Sequence, residues 1–185
     1  MLTVDEQAEL LELARRALRA RVLGETSPAL DRLDGGLAAP CGAFVSLHRG
    51  DELRGCLGRL TPDWPLARVV AHLAAIVADS DPRFGPVGPD ELDELDIEIS
   101  VLTPEREIAS IDEIDIGRHG VVVERGRARG VLLPQVAVEH GWDAQAFVEQ
   151  ACLKAGLPAD GWRRGARVYV FEAAVFNERT LAGLA

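Results

Sequence analysis

Apolar positions recur at helical spacing from the start of the chain. Leu10, Leu11, Ala14, Leu18 and Val22 line one face behind a Thr3-Val4-Asp5-Glu6 capping box, which predicts an amphipathic helix ending near Gly24. A loop rich in Asp, Gly and Pro follows from Ser27 to Pro40, and Gly35 with Gly36 marks it as a mobile segment. The period then drops to two. Ala43, Val45 and Leu47 alternate with Phe44, Ser46 and His48 in a strand. Arg49-Gly50-Asp51-Glu52 carries turn chemistry, so Leu53 to Gly58 reads as the second arm of a β-hairpin. Thr61-Pro62-Asp63-Trp64-Pro65 opens the next helix, whose apolar stripe runs through Leu66, Val69, Val70, Leu73, Ala74 and Val77 and must stop before Pro82.

Beyond Pro82 the pattern predicts a short helix at Pro89 to Leu95 and a strand at Asp96 to Leu102. That strand has Ile97, Ile99 and Val101 on one face and Glu98 and Ser100 on the other. Val121 to Glu124 and Val131 to Leu133 flank Arg125-Gly126-Arg127-Ala128 as a second hairpin. Helices follow from Pro134 to Gly141 and from Asp143 to Ala155, the latter with Phe147, Ala151 and Leu153 as apolar positions; a strand at Ala166 to Phe176 closes the pattern. Hairpins interspersed with helices predict an α+β fold with an antiparallel or mixed sheet. No repeat or linker divides the chain, so residues 1–185 read as one domain.

Composition changes this picture little. Hydrophobic residues make up 48 %, which is a globular composition. No apolar run reaches the roughly 18 residues of a membrane span, so no membrane association is expected. The acidic start lacks the basic and apolar regions of a secretory signal, and the cytoplasm is the expected location. A net charge of −10 argues against binding nucleic acid, because that requires cations to neutralise phosphates. Cys41, Cys56 and Cys152 form no CxxC and no even framework, and His48, His72, His119 and His140 are scattered, so no metal site is expected. No P-loop, GxGxxG, HExxH or G-x-S-x-G element is present, and no cofactor is implied.

Candidate chemistry centres on Leu53-Arg54-Gly55-Cys56-Leu57-Gly58. Alternation along a regular strand would put Arg54 and Cys56 on one face, about 7 Å apart, with Leu53, Gly55 and Leu57 on the other. A cation beside a thiol favours the thiolate, and Gly55 and Gly58 suit a close approach to the backbone. A catalytic cysteine needs a base, which His48 or His119 would supply. In Asp81-Pro82-Arg83-Phe84, Arg83 would add a second cation for a carboxylate or phosphate, while the plainer reading makes Asp81 a cap and Arg83 its ion-pair partner. Glycines flank His119, and Gln135 sits at a helix start where free N–H groups favour anions; a turn histidine and a capping group are the plainer readings. Glu98 is either solvated or an acid–base group.

The same stretch resembles the signature of the AMMECR-one domain family, whose bacterial members are called AmmeMemoRadiSam system protein A. CGAFVSL (41–47), DPRFGPV (81–87), LDIEISVL (95–102), IGRHGVVVE (116–124), GVLLPQVAVEHGW (130–142) and CLKAGLP (152–158) agree with it in order. The resemblance runs from about Glu6 to Glu178. It implies a smaller lobe packed on a larger one with a cleft between them. It also implies partnership with a Memo-like protein and a radical S-adenosylmethionine protein, any iron–sulfur cluster belonging to the latter. The family brings no established reaction. Two functions are therefore expected as alternatives. One is an enzyme or enzyme component acting on a small anionic substrate, with Cys56, Arg54 and His119 catalytic and Arg83, Gln135 and Asp81 binding. The other is a non-catalytic adaptor that docks those partners.

Overall fold

A computed structural model describes residues 2–30 and 33–182; two positions of the predicted 27–40 loop, 31 and 32, lie outside the described residues. In chain order the elements are α1 (Val4–Leu23), α2 (Gly35–Ala38), β1 (Ala43–Arg49), β2 (Glu52–Arg59), α3 (Leu66–Ile76), β3 (Leu95–Leu102) and β4 (Arg106–Glu107). Then come β5 (His119–Arg125), β6 (Ala128–Leu132), α4 (Pro134–His140), α5 (Ala144–Lys154), β7 (Arg167–Asn177) and α6 (Glu178–Ala182). The fold is α+β. The chain forms two compact units, one from residues up to 102 together with those from 174 onward, the other from residues 103–173.

In the first unit β1 lies between β2 and β3, antiparallel to both. Every second residue of β1 (Ala43, Val45 and Leu47) is fully buried, as are Ile97 and Ile99 opposite them, so one sheet face is a continuous apolar surface. The stripe of α3 and the face of α1 cover it, with Leu10, Leu18, Leu66, Val69 and Val70 at most 1 % exposed. Each such side chain contributes about 1.5–3 kcal/mol on burial. The Thr3–Glu6 capping box forms, and the same Glu6 carboxylate accepts the Gly36 N–H at 2.7 Å. The glycine pair expected to be mobile is thus anchored to the start of α1 and turns a short helix. Residues from 174 belong to this unit: Phe176 enters its core, and Glu178 accepts from the Ile97 N–H at 2.8 Å and from Arg15 Nε at 2.9 Å.

In the second unit β5 lies between β6 and β7, and the two-residue β4, which the periodicity missed, pairs with β7. Phe147, Val148, Ala151 and Cys152 of α5 pack on Val121, Val123 and Val168. Cys152 therefore takes the buried position expected for Leu153, which is 51 % exposed. The expected helix at 89–95 is a single 3-10 turn, Pro89–Glu91.

Candidate functional site

Strand β2 is the outer strand of its sheet, and its ladder to β1 is irregular. Leu53 stands opposite His48 and Gly55 opposite Leu47, so Arg54 is the extra residue of a β-bulge. The bulge interrupts the alternation from Leu53 to Leu57. It turns Leu53, 38 % exposed, onto the face that holds His48, Ser46 and Cys56. Both glycines of the motif are explained by packing. A Cβ on Gly55 would stand 3.1 Å from Val77 Cγ2 at the end of α3, and one on Gly58 would overlap the Phe44 ring at 2.1 Å.

An outer strand presents unpaired backbone groups, and here residues 81–91 cap them. The Cys56 N–H donates to Asp81 Oδ2 at 2.9 Å, and Arg83 Nη2 reaches the Cys56 carbonyl at 3.4 Å. Arg83 also grips the same carboxylate, from Nε to Oδ1 at 3.0 Å and from Nη2 to Oδ2 at 2.7 Å, while its backbone N–H donates to Oδ1 at 3.1 Å. Asp81 is 4 % exposed, the one buried charged residue among those described. Its carboxyl is held well below the usual carboxylate range, first by the Arg83 guanidinium and then by the Cys56 and Arg83 N–H groups, against the opposing effect of burial. Arg83 is raised above its ordinary value, chiefly by Asp81, with a smaller contribution from the nearby Cys56 thiol.

Arg54 is not a bare cation beside the thiol. Its guanidinium meets Glu91 in a fork, Nε to Oε2 at 2.9 Å and Nη2 to Oε1 at 3.1 Å. The remaining donors reach the carbonyls of Gly85 at 3.0 Å and Pro86 at 3.1 Å. Arg49 adds a second cation to Glu91 at 2.6 Å, and Glu91 is lowered by Arg54 first, then by the Gly88 N–H. With 18 % of its side chain exposed, Arg54 ties the 85–91 segment to the bulge. Its role is that of a staple.

The face of the sheet opposite the core is polar and half-buried. The register sets Cys56, Ser46 and Glu98 in one row across β2, β1 and β3, with His48 opposite Asp96 one pair further along. His48 leans back towards that row, its Nε2 lying 3.9 Å from Glu98 Oε1. Nε2 is buried and has no hydrogen-bond partner among the described residues. Burial pushes the Asp96 carboxyl up, partly offset by Arg179 at 3.5 Å. Ser46 and Asp96 are additions that sequence patterning missed, and His48 and Glu98 become neighbours of Cys56 only through the register.

His119 and Gln135 belong to the second unit. His119 opens β5 as a strand residue, not a turn histidine, and its Nδ1 accepts the Asp115 N–H at 3.0 Å. Its Nε2 faces Glu172, the cross-strand partner, at 3.7 Å, and Glu172 also pairs with Arg118 at 3.0 Å. Gln135 is exposed at the second position of the seven-residue α4. Of the first-unit candidates, Cys56, Asp81 and Arg83 thus form one bonded cluster and Arg54 binds Glu91 beside it, while His119 and Gln135 are built into a separate unit. Among the described residues no group of three His, Cys, Asp or Glu side chains is placed to hold a metal, and no helix is long and apolar enough to cross a membrane.

Comparison with known proteins agrees with this architecture. The chain is 42 % identical to an uncharacterized protein from Pyrococcus horikoshii of known crystal structure, with a TM-score of 0.76 over 92 % of this chain and 90 % of that one. A Methanopyrus kandleri protein is 43 % identical over 196 residues, covering 98 % of this chain and 93 % of its own. A Methanothermobacter thermautotrophicus protein is 42 % identical, covering 96 % of each chain. The AMMECR1 family model matches residues 11–176, and the chain therefore belongs to the AMMECR1 family.

Proposed function

We propose that this protein is an enzyme, or one component of an enzyme, whose working group is the Cys56 thiol and whose substrate is a small anion met by Arg83. The observation that carries this reading is the clamp on Cys56. A buried carboxylate and a guanidinium fix its backbone N–H and carbonyl, while its side chain sits on the polar face with Ser46 and Glu98. Arg83 keeps 56 % of its side chain exposed, and its Nη1 makes no hydrogen bond among the described residues, so donors remain for an incoming carboxylate or phosphate. Arg54, bound to Glu91, takes no direct part. Memo-like and radical S-adenosylmethionine proteins are the partners that the resemblance brings to this reading, and the cytoplasm is its location.

Brief alkylation with iodoacetamide at neutral pH, mapped by mass spectrometry, tests the thiol. Burial pushes the thiols of Cys41 and Cys152 up, away from the reactive thiolate. Cys56 is expected to label first. Labelling of either other cysteine ahead of it would remove the enzymatic reading.

The adaptor reading is favoured by a different observation: Arg54 and Arg83 both have carboxylate partners within the chain, so the motif is also a rigid, charge-balanced surface. It requires that Cys56→Ser leave partner binding and biological activity intact. Loss of activity with binding preserved would exclude it.

A further inference from the structure

We infer that His48, set by Glu98, is the base that takes the proton from Cys56. The inference deepens the reading of Cys56 as the working thiol and rests on it. His48 and Cys56 are diagonal neighbours on one face, His48 on β1 and Cys56 on β2 opposite Ser46. Diagonal pairs of this kind lie about 7–8 Å apart at their backbones, within reach of a long or aromatic side chain. The ring reaches Glu98 on the other side of β1, its Nε2 lying 3.9 Å from Glu98 Oε1 although Asp96 is its direct cross-strand partner.

Among the described residues Nε2 is buried without a hydrogen-bond partner, the Cys56 sulfur included, so the transfer begins with a side-chain rotation that brings the two together. A buried polar atom with no partner is rare in folded proteins and calls for an explanation. A nitrogen that gains a proton during the working cycle supplies one. The step is balanced as a transfer within the site: the Cys56 S–H bond breaks, its proton forms an N–H bond at Nε2, and the electron pair stays on sulfur as a thiolate. The imidazolium then faces Glu98 and Asp96 of β3, with Arg179 partly neutralising Asp96. The thiolate lies beside the Arg83 guanidinium, so each new charge meets one of opposite sign. Leu53, opposite His48 on the bulged strand, brings no charge. Glu98 acts as a positioning residue through His48, from which it stands at 3.9 Å. The second-unit candidate His119 already accepts a backbone N–H at Nδ1 and faces Glu172 at Nε2.

The test is the pH profile of Cys56 alkylation by iodoacetamide, followed by mass spectrometry on the full chain. His48→Gln is expected to slow labelling at pH 7 about tenfold and to move the midpoint upward, while Glu98→Gln moves it the same way by less. Rates and midpoint unchanged in His48→Gln, with Cys56 still the fastest thiol, would overturn the assignment of the base and leave the reading of Cys56 standing. An inert Cys56 in the wild type at every pH would overturn both. Should His48→Gln fail to fold, the imidazole of His48 is titrated by NMR in the wild type and in Cys56→Ser. Coupling predicts that removing the thiol displaces the His48 titration, and an unchanged curve would refute it.

Discussion

The two hairpins of this protein solve the same structural problem differently. The β5–β6 hairpin keeps an unbroken register from Val121 to Arg125, and its turn is made by Gly126 at φ +63°. Three consecutive residues, Val121, Val122 and Val123, are fully buried, so neither face of β5 is open to solvent there. The β1–β2 hairpin buries only alternate residues, carries a bulge at Arg54, and has its outer edge capped by charged side chains in place of another strand. A sheet that needed only to be stable would resemble the first. Irregular register, a buried carboxylate and a retained polar face at one place mark where the chain gives up regular packing, which is where function is to be sought.

The contrast is broken most severely at Asp81. Asp81→Ala leaves the Cys56 N–H without its acceptor and the Arg83 guanidinium without its carboxylate, and is expected to cost about 3 kcal/mol in urea unfolding. Acid titration sharpens the same point. Because the Asp81 carboxyl is depressed in the folded state, its contribution is fully present above about pH 4 and is lost as pH falls further below the ordinary carboxylate range. Asp81→Asn should flatten that part of the profile. An Asp81→Ala protein as stable as the wild type would mean that the clamp is ornamental.

Next in size is Arg54→Ala, which removes the fork to Glu91 and two carbonyl contacts from a side chain only 18 % exposed. About 2 kcal/mol of stability should be lost, and proteolysis should open the 85–91 segment first. Simple strand alternation predicts almost no change, so the measurement discriminates between a solvated cation and a staple. The smallest effect belongs to β7, the strand paired with the regular hairpin. Glu172→Gln disturbs only exposed or weakly placed partners, Arg118 and His119, and its unfolding curve should overlay the wild type. A large loss there would erase the distinction between the two regions.

Much of this architecture was legible from periodicity and caps. The Thr3–Glu6 box, the left-handed Gly24 and Gly141 ends, the stripe of α3 and both hairpins follow from local rules that act within one turn or one pair of strands. The site was legible only in parts. Arg54, Cys56, Asp81 and Arg83 announce themselves as residue types, but their bonding does not. A bulge is one residue of slippage with no compositional mark, and it defeats the alternation used to face Arg54 with Cys56. Glu91 lies 37 residues from Arg54, and Asp81 lies 25 from Cys56, beyond the reach of any spacing argument. His48 and Glu98 lie 50 residues apart with no shared motif; only the β1–β3 register joins them. His119, flanked by glycines, suggested a turn because the ring packing that excludes a Cβ at Gly120, that of Phe171, is 51 residues away.

One feature of the fold bears on how the protein is made. The first unit is discontinuous in the chain: it is interrupted after residue 102 and resumes at 174, where Phe176, Glu178 and Arg179 supply part of its core and its ties to Arg15, Ile97 and Asp96. The intervening 103–173 form a contiguous unit with a core of their own. A ribosome releases these residues in order, and domains fold as units during synthesis at roughly 5–20 residues per second. The second unit therefore completes first, although more than half of the other has already emerged. The sheet bearing Cys56 waits several seconds for its final segment, and until Phe176 arrives its core is incomplete.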